Sequence, residues 1–423
     1  MINRKLLNDG AIFLFSNVLN ASIPFLLLPF LTRLLTPEDY GIVAMFAIFL
    51  TLVSAFVGLS VHGAVNVQYF KLENNEFNEY VTSCFMLLAA SAVTVFLVVF
   101  LIGGYFEEII GLPHKWMLIG VLVSFFQFFI NILLTIWVVT GKAIKYGFFQ
   151  VLQTASNASL SLIFIIFLSL TWDGRLLGQT IAVIFFGIVA LLIIYNSGYL
   201  KYPKNAFFYM KDAMKFGIPL IPHSIGAFVI YSTDRVVISN ILDVSAVGVY
   251  MVGLQLGQAM GLLADSYNKV YSPWLMKNLS DENMNKKKLV FYTYLSMFII
   301  LLAGLIWAVV AKILLPFLVG NIFQKASGLI VYMSLGFSLT GLYYLVTNYI
   351  FYTGHTKFLA MITFFCGLVN IPLTYYLVSF YGINGAAIAF LIIQTLFFVL
   401  TWILAAKVFP MPWFYFLKGK ENA

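Results

Sequence analysis

The sequence predicts an all-α integral membrane protein, with twelve transmembrane helices in two parallel six-helix lobes around a central cavity. Three observations carry that expectation. Of 423 residues, 62% are hydrophobic and 9% charged, with mean hydropathy +0.97, and a water-soluble surface of this size needs far more charge. Apolar runs of about 20 residues recur from end to end, the length a helix needs to cross hydrocarbon. These runs do not alternate polar and apolar residues, which excludes a membrane β-barrel.

The first run, 10–32, follows Arg4 and Lys5 and is too long for the core of a signal peptide, so it is read as a retained span. Pro24 and Pro29 predict a bend within it. Further spans are expected over 41–68, 80–105, 116–139, 147–171 and 176–198. The polar stretch Tyr199–Lys215 follows. Span seven, 216–241, carries Pro219, Pro222, His223, Asp234 and Arg235, residues that hydrocarbon tolerates only where they face protein or water. Spans over 248–268, 289–311, 328–350, 358–379 and 383–406 complete the set. The chain then divides into a lobe over 1–200, a cytoplasmic linker over 201–215 and a lobe over 216–423.

An even span count puts both termini on one side, and charge decides which. With a cytoplasmic N-terminus, 18 of the 24 lysines and arginines fall on the cytoplasmic side. Only Arg33, Lys115, Arg175, Arg235, Lys312 and Lys325 fall on the other side or at its border. That asymmetry is the positive-inside pattern. It also accounts for the net charge of +8 without nucleic acid, for which there is no aromatic-interleaved basic motif.

An internal repeat relates the halves. Thr32–Ile42 resembles Ser239–Val249 at an offset of 207 residues, and Gly178 and Gly385 open spans six and twelve at the same offset. Thr140-Gly141-Lys142 echoes Thr353-Gly354-His355. Because six spans is an even number, both halves insert the same way round, as in parallel-repeat transporters. A substrate cavity between the lobes and a rocking motion follow.

No catalytic constellation is present: no phosphate loop, H-E-x-x-H, G-x-S-x-G or Cys/His cluster. No metal and no cofactor are expected. Cys84 and Cys366 lie in apolar runs and are read as buried hydrophobes. The candidate residues are therefore ionisable groups in or near hydrocarbon. Arg33, His62, His223, Arg235 and Lys269 are candidates for substrate binding, and Asp234 and Asp265 for ion coupling. Each also has a structural reading. Asp234 and Arg235 point about 100° apart and could each pair with a neighbouring helix. Asp265 and Lys269 have the spacing of an i,i+4 ion pair. Arg33 fits an interfacial anchor, and His223 a satisfied internal histidine. The offset maps Lys269 onto His62 and Asp265 onto Gly58, which would confine acidic function to the second lobe.

The segments LTRLLTPEDYGIVAMF (Leu31–Phe46) and FGIPLIPHSIGAFVIYSTDRVVISNILDVSAVGVYMV (Phe216–Val252) resemble the polysaccharide-export branch of the multidrug/oligosaccharidyl-lipid/polysaccharide flippase superfamily, the Wzx-type O-antigen and capsule flippases. The resemblance extends over Val138–Gly147, Leu314–Ser327 and Tyr381–Ile392. It implies a non-enzymatic flippase that moves undecaprenyl-pyrophosphate-linked oligosaccharide across the bacterial inner membrane by alternating access, coupled to H+ or Na+. Spans one, two, seven and eight would line its cavity. Arg33 and Arg235 match positions where the family's motifs are basic or polar. Membrane lipid, a polysaccharide polymerase and a chain-length regulator are the implied partners.

Three further readings are weighed beside it. A multidrug/cation antiporter of the same architecture would want deep carboxylates, and span one has none. A flippase for another lipid-linked cell-wall precursor is not separable by sequence. A membrane glycosyl polymerase or ligase would need a substantial outer loop, and no loop here is large enough.

Overall fold

The computed structural model describes residues 4–281 and 284–413, and its helices are those that an apolar solvent demands, with backbone polar groups satisfied within each segment. The chain forms two compact units, Met1–Phe228 and Val229–Ala423.

The first unit contains α1 (Arg4–Leu34), α2 (Pro37–Gly58), α3 (Val61–Gln68), α4 (Asn74–Ile110), α5 (His114–Val139), α6 (Ala143–Phe167), α7 (Trp172–Asn196) and α8 (Ala206–Gly217). Helix α9 (Ile221–Ile241) follows a short 3-10 turn, Ile218–Leu220, and runs into the second unit. There it is joined by α10 (Val244–Leu279), α11 (Lys286–Leu318), α12 (Ser327–Thr353) and α13 (Thr356–Val408). In the first unit α1 packs on α6, α6 on α7, and α5 on both α2 and α7. Phe46, Trp116, Phe128, Phe129 and Trp137 centre its core. In the second unit α12 lies between α10, α11 and α13. The stretch Asn321–Thr353 buries 61% of its apolar window and α4 only 11%. Helix α12 is thus the most buried span of the second unit and α4 the most exposed of the first. Cys84 and Cys366 are both free thiols and both buried.

Ten described helices are long and apolar enough to cross a membrane, and the bent pair Ala206–Gly226 and Phe228–Ile241 makes an eleventh candidate. The expected spans 358–379 and 383–406 share the 53-residue α13, whose Gly382 (φ 58°, ψ −140°) is non-helical and falls between them.

Two local features differ from the sequence expectation. The expected span 41–68 is broken: Leu59 and Ser60 both adopt left-handed backbone (φ 44° and 49°), and α3 starts afresh at Val61. Packing enforces the break, because Gly217 at the end of α8 rests on the Leu59 carbonyl, whose oxygen lies 1.7 Å from where a Cβ would stand. The second feature is that much of the expected linker is the helix α8. Its Ala213 is buried while Phe207, Phe208, Lys211 and Lys215 are exposed. Asp212 anchors it, accepting hydrogen bonds from Gln68 Nε2 (2.8 Å) and the Tyr80 hydroxyl (3.1 Å).

The repeat is visible in the helix ends. Helices α1 and α9 end at Leu34 and Ile241, and α2 and α10 begin at Pro37 and Val244, each pair 207 residues apart. The N-caps correspond as well. Thr36 Oγ1 accepts from Asp39 N (3.1 Å) while Asp39 Oδ2 accepts from Thr36 N (2.9 Å), and Asp243 Oδ1 accepts from Ala246 N (2.6 Å). Gly141 and Gly354 are both left-handed (φ 65° and 74°). Gly178 and Gly385 meet backbone: an added Cβ would lie 2.4 Å from Ser161 N and 2.0 Å from Leu377 O, respectively. Each last span therefore closes directly onto the one before it. Thr36→Ala and Asp243→Ala are each expected to cost about 1 kcal/mol, read as a lower thermal midpoint of the purified protein.

Candidate functional site

In the first unit the polar groups form a seam along α6. Tyr146, Gln150, Thr154, Asn157 and Ser161 recur every three or four residues and so share one face. The Tyr146 hydroxyl donates to Asn17 Oδ1 of α1 (3.2 Å), and Thr154 Oγ1 donates to Asn20 Oδ1 of α1. At the far end Arg175 of α7 donates through Nη1 to Asn157 Oδ1 (2.7 Å) and to Ser161 Oγ (2.9 Å). Its Nε is buried without a hydrogen-bond partner. A guanidinium held by neutral oxygens keeps its charge unneutralised by those contacts, and such groups in a membrane helix are functional candidates. In the sequence Arg175 stands only as a charge at the border of a span. The three- and four-residue spacing of polar residues along α6 was the available signal.

Arg33 is exposed in the last turn of α1, where Nη1 donates to the Pro29 carbonyl (2.8 Å). Its repeat mate, Asn240, makes the same bond to the Val236 carbonyl (2.8 Å). His62 sits on α3 beyond the break, half-buried against Phe128. Its Nδ1 has no hydrogen-bond partner, and burial lowers its pKa below the ordinary histidine value. The side chain of His223 lies outside the described residues.

In the second unit α9 presents Asp234 and Arg235, and the two do meet despite being sequence neighbours. Arg235 Nε is 3.9 Å from Asp234 Oδ1, with side chains 14% and 8% exposed. The Tyr250 hydroxyl of α10 donates to Asp234 Oδ2, and the Arg235 backbone N–H donates to Asp234 Oδ1 (2.9 Å). The carboxylate is thus held from three directions. Arg235 Nε is buried, too far from the carboxylate for a hydrogen bond and without another hydrogen-bond partner, which leaves donor capacity on a cation that is 14% exposed. Tyr250 carries no such signal in the sequence, because only the fold brings α10 against this turn of α9. Asn370 of α13 donates its amide to the Val229 and Ile230 carbonyls of α9 (3.2 Å each).

On α10, Lys269 Nζ lies 2.7 Å from Asp265 Oδ2, with side chains 44% and 43% exposed. Pro273 lies four residues beyond Lys269 and has no N–H to offer its carbonyl. Asn268, on the same turn, accepts from the Asn348 amide of α12 (2.9 Å). The structure thus joins Asp234 with Arg235 and Asp265 with Lys269. His62 and Lys269, paired by the repeat offset, occupy different settings: a short separate helix in one half and a continuous helix in the other. Among the described residues no group of three His, Cys, Asp or Glu side chains could hold a metal.

The family described as polysaccharide biosynthesis protein matches residues 6–279. An uncharacterized membrane protein of Haemophilus influenzae is 30% identical, covering 86% of this chain and 88% of its own length. The capsular polysaccharide biosynthesis protein CapF of Staphylococcus aureus is 23% identical, covering 90% and 94%. Among solved structures, the lipid II flippase MurJ in an inward closed conformation is similar, with TM-score 0.71, 17% identity and coverage of 94% and 87%. So is an inward-facing multidrug resistance MATE family transporter of the MOP superfamily, with TM-score 0.68, 15% identity and coverage of 95% and 96%. The chain belongs to the polysaccharide biosynthesis protein family, in agreement with the flippase-branch resemblance of its motifs, and it has the all-helical membrane fold shared by MurJ and the MATE transporter.

Proposed function

We propose that the protein is a flippase that carries an undecaprenyl-pyrophosphate-linked oligosaccharide, an O-antigen or capsule repeat unit, from the inner to the outer leaflet of the bacterial cytoplasmic membrane. The observation that most supports this reading is Arg235, a nearly buried guanidinium with donor capacity to spare, on an apolar helix of a polysaccharide-biosynthesis family member. A pyrophosphate cannot enter hydrocarbon bare, and a shielded arginine offsets its lost hydration with directed, charge-assisted hydrogen bonds. Arg33, His62, His223 and Lys269 are proposed as further contacts to the acidic head. Asp234 and Asp265 are proposed as the groups that answer to H+ or Na+. Asp265 is the better placed, since its partner Lys269 is half exposed and can be released when a cation takes its place.

Transport proceeds by alternating access, with both termini cytoplasmic, as the 18-to-6 division of basic residues favours. The deciding experiment is leaflet translocation of a purified lipid-linked oligosaccharide in proteoliposomes, with H+ and Na+ gradients imposed in turn. Protein-dependent translocation that responds to one gradient is expected; none across a range of glycans and gradients rejects the reading. In the same assay Lys269→Ala is expected to lower the rate about tenfold, since a charged hydrogen bond is worth roughly 1.5–3 kcal/mol. An unchanged rate removes Lys269 from the site.

A further inference from the structure

A cleft of about 620 Å³ opens between α10 and α11 in the second unit, on the side of α10 away from the Asp265–Lys269 pair. At 3.6 residues per turn, Tyr267, Tyr271, Trp274 and Asn278 fall within about 60° of one another around the helix, whereas Asp265 and Lys269 lie roughly 150–170° from their mean direction. The lining changes character along the helices. Val270, Leu295 and Ile299 (73%, 41% and 48% exposed) form a mainly apolar end, where the Tyr267 and Ser296 hydroxyls also line the cleft and satisfy each other at 2.7 Å. Aromatic rings occupy the middle: Tyr271 and Trp274 at 5.5 Å, and Trp274 edge-on to Tyr292 at 5.7 Å. Polar groups close the other end, namely Asn278, Asp281, Asn285 and Lys288. That order of hydrocarbon, aromatic belt and polar rim reproduces the profile of one membrane leaflet.

The rim carries a second, independent signal. Helix α11 opens on Lys286, Lys287 and Lys288, all exposed, with no acidic residue in its first turn. Cations at a helix N-terminus oppose the macrodipole, and an anion there is favoured by both the dipole and the lysines. The Lys288 Nζ sits 6.0 Å from the Tyr292 ring, at the border of rim and belt.

We propose that this cleft binds an anionic phospholipid of the surrounding leaflet. Its phosphodiester lies at the Lys288 rim, its acyl chain runs along Leu295 and Ile299, and its headgroup hydroxyls donate to Asp281. The Asp281 carboxylate favours a single phosphate bearing hydroxyls, of the phosphatidylglycerol kind, over a polyprenyl pyrophosphate, whose greater negative charge it repels. The proposal does not rest on the transport reading, because it concerns the opposite face of α10.

The test uses the full-length protein in vesicles of phosphatidylcholine with brominated phosphatidylglycerol added. The quenching assigned to Trp274 is the difference between wild type and Trp274→Phe. Quenching that saturates at low brominated phosphatidylglycerol and weakens about tenfold in apparent affinity in Lys288→Glu is expected. Lys357→Glu, an exposed lysine outside the cleft, is expected to leave it unchanged. Equal quenching by brominated phosphatidylcholine means annular lipid only and overturns the proposal. So does equal loss in Lys288→Glu and Lys357→Glu, which would make the effect diffuse electrostatics. Selective displacement by a polyprenyl phosphate, with phosphatidylglycerol ineffective, overturns it too. Thermal midpoints of the variants check folding; should Lys288→Glu unfold, Lys288→Gln serves in its place.

Discussion

Arg235→Ala is expected to lower translocation by tenfold to a hundredfold while leaving the amount of protein in the membrane unchanged. The geometry separates these two readouts. Removing the guanidinium takes away the donor proposed for the pyrophosphate, a loss of about 1.5–3 kcal/mol for charged hydrogen bonds. It does not strand Asp234, whose carboxylate keeps the Tyr250 hydroxyl and the backbone N–H of residue 235. Asp234→Ala runs the other way, leaving a nearly buried cation without its carboxylate, so the membrane abundance of that variant is expected to fall. Arg235→Lys keeps charge but loses the planar fork, and an intermediate rate is expected. Translocation in proteoliposomes normalised to protein measures the first effect, and immunodetection in membranes the second. An Arg235→Ala protein that transports at the wild-type rate ends the assignment.

The second large effect concerns folding. Gly178→Ala and Gly385→Ala each place a methyl group within 2.4 Å of backbone that cannot rotate aside. Overpacking of this kind costs about 1–3 kcal/mol, more where backbone must move. Both variants are expected to show lower thermal midpoints and severalfold lower abundance. Gly104→Ala is the control: nothing lies within 4 Å of its would-be Cβ, and helical glycine to alanine is favourable by about 1 kcal/mol. If all three behave alike, the close approach of the last two spans in each half is not what holds them.

The parts legible in the sequence were those that the membrane itself enforces. Lipid offers the backbone no hydrogen bonds, so each crossing must be a long apolar helix, and hydropathy finds it. The turn between first and second helices was legible as a repeat, Thr32–Ile42 against Ser239–Val249, and the N-caps at Thr36 and Asp243 that the structure shows inside it are local chemistry carried by two or three residues. The break at Leu59–Ser60 was not. Neither residue is glycine, although Gly58 and Gly63 flank them, and the contact that fixes the break lies about 160 residues away where Gly217 rests on the Leu59 carbonyl. Helix α8 reads as linker in the sequence because its amphipathic pattern lowers mean hydropathy, although four residues of its length face outward at helical spacing. The Asp265–Lys269 pair could be read from i,i+4 spacing alone. Tyr250 on Asp234, and Asn157 and Ser161 on Arg175, could not, since each depends on which helices pack together.

The shared register of the two halves has a practical corollary. The turn between first and second helices begins and ends at corresponding residues, carries an N-cap in both halves, and closes the preceding helix with the same side-chain bond to a carbonyl, from Arg33 in one and Asn240 in the other. It is therefore an interchangeable part: a chimera that transplants residues 33–39 into 240–246 alters no chain length and brings its own cap. Such a graft moves an arginine from one half to the other without changing the length of the turn, so it separates what a charge does from which half carries it.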